Sequence, residues 1–265
     1  MILIDDADDP RLACFRRNER GLANRRQRRD DEGDGLFMAE GDLVVDRALA
    51  AGCTAVIALV DVAKPPPVTW RLPDDVPVYA GDDGVRTMVT RLGTPQGIVA
   101  LFARPARVTA ERLGQQATRL IVVEAVDNPI NVGSIVRNAI ALGWDGMIFD
   151  STSADPLSRR SLRVSMGQAI AFPAARCSNV PDELRRLVTA GFTVYALTPR
   201  AGAIDIDTVP VSERMAIVIG SERVGLTAES FAVSTTSVRI PMAPGIDSLN
   251  AAAATAISCY ALRKR

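Results

Sequence analysis

The sequence predicts an α/β protein of two domains, a small one over residues 1–108 and a larger one over 118–265 built on a mainly parallel sheet with helices on both faces. Three patterns carry this expectation. After residue 118, short unbroken apolar runs alternate with stretches of helical period, which is what strands buried on both faces require. Before residue 104 the same two kinds of segment recur on a smaller scale around a proline-rich loop. Between the two regions, RPARVTAERLGQQATR is polar and holds one proline and one glycine, the composition of a linker near 105–118.

In the first domain the stretch from Arg11 to Arg29 reads as a basic helix and GDLVVDRALAAG as a second helix. TAVIALV reads as a strand, KPPPVTWRLPDDVP as a loop, VPVYA as a short strand, GVRTMVTRLG as a helix and GIVALFA as a closing strand. In the second domain the strands are LIVVEAV, GMIFD, AIAFPAA, FTVYAL, MAIVIG and SVRIP. SIVRNAIALG, LSRRSLRVSMG, PDELRRLVTAG, LTAESFAV and SLNAAAATAISCYAL lie between or after them as helices. Ligands of such a doubly wound sheet sit beyond the carboxyl ends of its strands.

Composition removes several chemistries. The 265 residues include no histidine, so the usual general base and the commonest zinc ligand are missing. Cys14, Cys53, Cys177 and Cys259 lie far apart and form no CxxC pair, so neither a metal cluster nor a disulfide framework is expected. No run of about eighteen strongly apolar residues occurs, so no membrane span is expected. MILIDDADDP places acids where a secretory leader has a cationic segment, which points to a cytoplasmic location. Net charge is zero, so a polyanion would have to be held by local patches. One such patch is Arg11, Arg16, Arg17, Arg20, Arg25, Arg26, Arg28 and Arg29 against the single acid Glu19, a bias suited to phosphate.

Three strand-to-helix junctions collect small and polar residues. The first is DNPINVGSIVRNA, Asp127–Ala139, in which Asn131 is a candidate helix cap. At about 100° per residue, Ser134, Arg137, Asn138 and Ala141 share one arc while Ile135, Val136, Ala139, Ile140 and Leu142 fill the other, so Arg137 faces away from the core. The second is IVIGSERVGL, Ile217–Leu226, with two glycines around Ser221-Glu222 and Thr227 placed to cap a short helix. The third is RIPMAPGIDSLN, which leads into a helix so rich in alanine that it must pack closely on another backbone. Neither a GxGxxG dinucleotide loop nor a GxxxxGK[ST] phosphate loop occurs at these junctions.

In this order, N-P-x-N-x-G-x-x-x-R, G-S-E-x-x-G-L and I-P-M…S-L-N resemble the signature motifs of the SpoU (TrmH-like) RNA 2′-O-ribose methyltransferases of the SPOUT superfamily. RVSMGQAIAFP is similar to that family's Arg-x-Ser-x-Gly segment. The likeness spans residues 118–265 and extends more loosely to the first domain, where GLFMAEGDLVVDRALAAG and TPQGIVALF look like the RNA-binding module of two-domain members. It implies a C-terminal trefoil knot, an exception to the rule against knots. It also implies a homodimer formed through the knotted domain, no metal, and S-adenosylmethionine as cofactor. By position, Leu197, Gly220, Ile240 and Leu249 would contact the cofactor through their main chain, and Asn131, Arg137, Glu222, Ser248 and Asn250 would form the active site. The basic segment, including Arg16, Arg17, Arg20, Arg25 and Arg26, would hold RNA. Two positions depart from the pattern: Arg223 stands where many members have glycine, and Ala251-Ala252 replace a frequent Val-Ser.

The implied reaction moves a methyl group from a sulfonium to a ribose hydroxyl, which demands alignment and stabilisation of growing negative charge. Guanidinium groups stay protonated in proteins. Arg137 is therefore read as a fixed cation rather than a base. Ribosomal RNA is the favoured substrate because of the additional N-terminal domain. Transfer RNA, base-nitrogen methylation, an antibiotic-resistance role and a non-catalytic RNA-binding protein stand as alternatives, with an oxidoreductase last for want of a dinucleotide loop.

Overall fold

The computed structural model describes residues 1–22, 35–91, 93–200 and 202–263. They form two compact units, Met1–Ala106 with Leu157–Ala171, and Arg107–Pro156 with Phe172–Arg265. No helix among the described residues is long and apolar enough to cross a membrane.

The first unit begins with β1 (Ile2–Leu3), a 3-10 helix over Pro10–Arg16 and α1 (Glu19–Leu22). It continues through β2 (Leu36–Glu40), α2 (Asp42–Ala50), β3 (Ala55–Asp61), a 3-10 turn over Pro67–Arg71, β4 (Val78–Gly81), α3 (Asp83–Thr90) and β5 (Ile98–Ala103). The sheet order is β1-β4-β3-β5-β2, with β5 antiparallel to both of its neighbours. Leu12, Phe15, Met38, Leu59, Val89 and Leu101 belong to its core.

The expected single helix over Arg11–Arg29 is corrected in its described part. Leu12 and Phe15, three residues apart, are both buried, and the tighter 3-10 winding eclipses such positions on one side. Arg17 then leaves in an extended conformation before α1 begins. LFMAE, too short to show alternation before Gly41, forms β2, a strand that the sequence pattern does not announce.

The second unit opens on α4 (Ala110–Gln116), in place of the expected linker. Thr109 Oγ1 accepts the Arg112 N–H at 3.2 Å, and Ala110, Leu113 and Ala117 are buried in the unit's core. Their spacing of three and four gives this mostly polar segment one apolar stripe. A side chain at Gly146 would meet Leu113 at 2.8 Å and the Pro173 carbonyl at 2.9 Å, so glycine there lets the helix close on the sheet.

The chain continues as β6 (Arg119–Glu124), α5 (Pro129–Ala141) and β7 (Gly146–Asp150), then leaves for α6 (Arg159–Val164). It returns as β8 (Ala174–Cys177), α7 (Val180–Thr189), β9 (Thr193–Leu197), β10 (Ile204–Asp205), β11 (Met215–Gly220), α8 (Ala228–Val233), β12 (Thr236–Arg239) and α9 (Ala251–Ala261). AIAFPAA becomes a strand only after Pro173, which has no N–H to offer a ladder. Among the described residues its seven strands are all parallel, in the order β10-β12-β9-β11-β6-β7-β8. Gly220 at the end of β11 pairs with Glu124 at the end of β6, so the loops leaving both strands start side by side.

Residues 157–171 belong with the first unit, although their sequence lies inside the second domain's span. The buried Glu40 carboxylate pairs with Arg159 and, at 2.5 Å, with Arg163. Arg47 donates to the Met166 carbonyl, and Gly167, at φ +80°, lies where a side chain would touch the Val44 backbone at 3.1 Å. The Arg, Ser and Gly of RVSMG are thus, respectively, an ion-pair partner, a buried hydroxyl and a tight turn.

Candidate active site

The first loop leaves β6 through Ala125, whose φ of +55° turns the chain. Asp150 Oδ1 accepts the Ala125 N–H at 3.1 Å and Ser153 Oγ accepts the Val126 N–H at 3.0 Å, so the end of β7 holds the turn. Asn128, not Asn131, caps α5: its Oδ1 accepts the Ile130 N–H at 2.9 Å, and Pro129 occupies the first helical position, where a missing N–H costs nothing. Asn131 falls one turn later and is 5% exposed. Further along, Arg137 is exposed and Asn138 Nδ2 donates to the Ala252 carbonyl at 3.1 Å.

The second loop follows β11. The Gly225 N–H donates to the Ser221 carbonyl at 2.8 Å, folding the loop back until the Gly225 carbonyl carbon would lie 2.4 Å from any side chain at Gly220. Only glycine fits there. Thr227 caps α8, and its N–H and hydroxyl each donate at 3.0 Å to the buried Glu124 carboxylate, which also accepts the Ser230 hydroxyl at 2.9 Å. Arg223 pairs with Asp127, tying the second loop to the first on the exposed surface.

The third loop ends at Asn250, whose Oδ1 accepts the N–H groups of Ala252 at 3.0 Å and Ala253 at 3.3 Å as the cap of α9. As the alanine content requires, α9 packs on α5, burying Ala251, Ala252 and Ala254.

These loops meet on one carboxylate oxygen. Glu222 Oε1 accepts Asn131 Nδ2 at 3.0 Å, Asn250 Nδ2 at 2.6 Å and the Ala251 N–H at 3.2 Å, while Asn250 Nδ2 also reaches Asn131 Oδ1 at 3.0 Å. One residue from each loop therefore closes a ring of hydrogen bonds. Beside it is a cavity of about 340 Å³ whose wall includes Leu197, Gly220, Ile240 and Leu249 as well as Glu222 and Ser248. Asn131 and Asn250 touch that wall through Glu222, whereas Arg137 is on the exposed face of α5 outside it.

Burial raises all four thiols. Cys259 on α9 is pushed well above the usual thiol range, and Cys177 up to about 12. Burial likewise raises Cys14 and Cys53.

The basic segment is only partly described. The Arg16 guanidinium donates to the carbonyls of Ala7 and, at 3.2 Å, Asp9, so part of its donor capacity serves the fold of its own unit. Arg17 is exposed, Arg20 lies on α1, and Arg25 and Arg26 fall outside the described residues. Sequence reasoning missed Glu124, Asp150 and Ser153 as supports of the loops. The signal for Glu124 was a lone acid closing an apolar strand, which needs partners if it is buried.

Residues 118–260 match the model of the SpoU rRNA Methylase family. The chain belongs to that family. This SpoU-family protein is thereby an RNA methyltransferase that uses S-adenosylmethionine. It is 37% identical to an uncharacterized tRNA/rRNA methyltransferase of Mycobacterium tuberculosis, over 96% of this chain and 89% of that one. It is 29% identical to the 23S rRNA (guanosine(2553)-2′-O)-methyltransferase RlmP of Bacillus subtilis, over 86% and 88% of the two chains. Among solved structures it resembles the AdoMet-bound rRNA methyltransferase from Sinorhizobium meliloti, with a TM-score of 0.82, 26% identity, and 98% and 96% of the chains covered. The cavity of this SpoU-family chain fits the cofactor: its volume lies in the range of small-ligand sites, and Gly220 leaves bare backbone in its wall.

Proposed function

We propose that this chain methylates a ribose 2′-hydroxyl of a structured RNA, and that the RNA is ribosomal. The observation that carries the reading is the ring joining Asn131, Glu222 and Asn250 beside the cavity, because it brings all three motifs to one place. The likeness to RlmP, a 23S rRNA 2′-O-methyltransferase, over 86% of this chain supports the ribose and the ribosome. The main chain of Leu197, Gly220, Ile240 and Leu249, which line the cavity, would hold the cofactor. When bound, S-adenosylmethionine supplies a methyl group on a sulfonium.

The remaining work belongs to side chains. Glu222, accepting three hydrogen bonds on one oxygen, fixes the second and third loops relative to α5. Arg137 orients the ribose and its phosphate and stabilises the negative charge that grows on the 2′-oxygen as its proton leaves to water or to the RNA phosphate. The chain has no histidine, and burial raises the pKa of Cys177 and Cys259, so neither an imidazole nor these thiols takes that proton.

The first unit and its arginines hold the RNA. Two copies pair through the second unit, where Ile257 (41% exposed) and Tyr260 (57%) leave an apolar face on α9; light scattering that finds a monomer would overturn this. The return of the chain from β12 to α9, which packs on α5, supports a trefoil knot in this unit. A cytoplasmic location is part of the same proposal.

The test is nucleoside mass spectrometry of RNA from cells with and without the gene, with 2′-O-methyl sites mapped. Loss of one ribose methylation in 23S RNA is expected. Loss of a base methylation would establish base-nitrogen transfer instead, and loss confined to transfer RNA would reassign the substrate. Arg137→Ala is expected to keep cofactor affinity within about twofold while turnover falls at least about a hundredfold, as for removal of an electrostatic stabiliser.

A further inference from the structure

Arg200 is a charged residue of the cavity wall that the mechanism above does not use. Its guanidinium carbon lies 4.9 Å from the centre of the Phe231 ring, which is part of the same wall. Arg185, Arg223 and Arg239 of the same unit are each paired with a carboxylate, but no carboxylate among the described residues pairs with Arg200. A ring face positions a guanidinium without neutralising it. Asp247 also lines the cavity, immediately before Ser248, and has no ion-pair partner among the described residues. Glu222, the third charged residue of the described wall, already accepts three hydrogen bonds on one oxygen. The wall thus offers one cation and one anion whose charges are not neutralised by the protein.

We propose that Arg200 binds the carboxylate of the cofactor's amino-acid tail and that Asp247 receives its α-ammonium. The inference rests on the assignment of this cavity to S-adenosylmethionine. Backbone groups suffice for the neutral adenosine, but a carboxylate gains far more from a charged donor, since charge-assisted hydrogen bonds are about twice as strong as neutral ones. With one positive and two negative side chains, the wall carries a net −1 that complements the donor's net +1. Methyl transfer removes the sulfonium charge, so the demethylated product is neutral and the same wall favours its exchange for fresh donor.

Calorimetric titration tests this without turnover. The probes are S-adenosylmethionine, its decarboxylated analogue, and 5′-methylthioadenosine, which has no tail. The wild-type protein is expected to bind S-adenosylmethionine about tenfold more tightly than the decarboxylated analogue. In Arg200→Gln that gap is expected to close to within about twofold, with 5′-methylthioadenosine affinity unchanged. Asp247→Asn is expected to weaken S-adenosylmethionine several-fold and to leave 5′-methylthioadenosine alone. A gap that survives Arg200→Gln, or an equal loss for all three probes, overturns the tail assignment and leaves Arg200 as packing for Phe231. Failure of the wild-type protein to bind any adenosyl compound overturns the cofactor reading itself.

Discussion

Asn131 shows how much of a site depends on a single oxygen. Its buried amide has Glu222 Oε1 as acceptor, so Glu222→Ala leaves a buried donor unpaired and removes the acceptor of Asn250 and Ala251 as well. We expect a loss of about 1–3 kcal/mol in thermal or denaturant unfolding, with Glu222→Gln, which keeps a carbonyl oxygen, losing less than half of that. Equal losses in the two variants would show that the ring does not close on this oxygen. The Arg223–Asp127 pair is a different case: both side chains are exposed, and such pairs contribute at most about 1 kcal/mol. The departure from glycine at position 223 is therefore a surface tie between loops, and the two glycines that the loop does require are Gly220 and Gly225, the latter at φ +73°.

At the scale of elements, the apolar runs identified the strands of the second unit other than the two-residue β10, because a strand covered on both faces shows an unbroken signal. Elements whose burial is one-sided were harder to see. α4 hides three buried residues in a polar stretch, and β2 is five residues long and ends at a glycine. α7 carries a related tension, since burial pushes the Glu183 carboxyl up while Arg186 at 3.0 Å partly offsets it. A carboxyl whose folded pKa is raised holds its proton more tightly when folded, so its contribution favours folding at low pH and is lost as pH rises from about 4.5 through the raised value. Melting temperatures of wild type and Glu183→Gln across pH 4 to 7 check this. The wild type is expected to lose stability relative to the variant as pH rises, and parallel curves would refute the assignment.

The whole molecule has no net charge, so its hold on RNA must come from a local patch. Replacing Arg25, Arg26, Arg28 and Arg29 by Gln is expected to flatten the dependence of RNA affinity on salt by about one unit of slope for each phosphate left without its arginine, measured by filter binding over a salt series. An unchanged slope would move the RNA site elsewhere. The inclusion of residues 157–171 in the first unit is also a whole-molecule property, because nothing local in LSRRSLRVSMG announces that Arg159 and Arg163 share Glu40.

The sequence by itself determined the alternation of strands and helices in the second unit, the exclusion of histidine chemistry, and the residue types at three loops. Those properties follow from local periodicity and composition. Only the tertiary structure decided that Asn131 meets Glu222 across 91 positions of chain, that Gly220 is demanded by the returning backbone of Gly225, and that Arg16 serves its own fold. Hydrogen bonds and close approaches between distant residues leave no period in the chain, so they exist only once the sheet has brought the ends of its strands together.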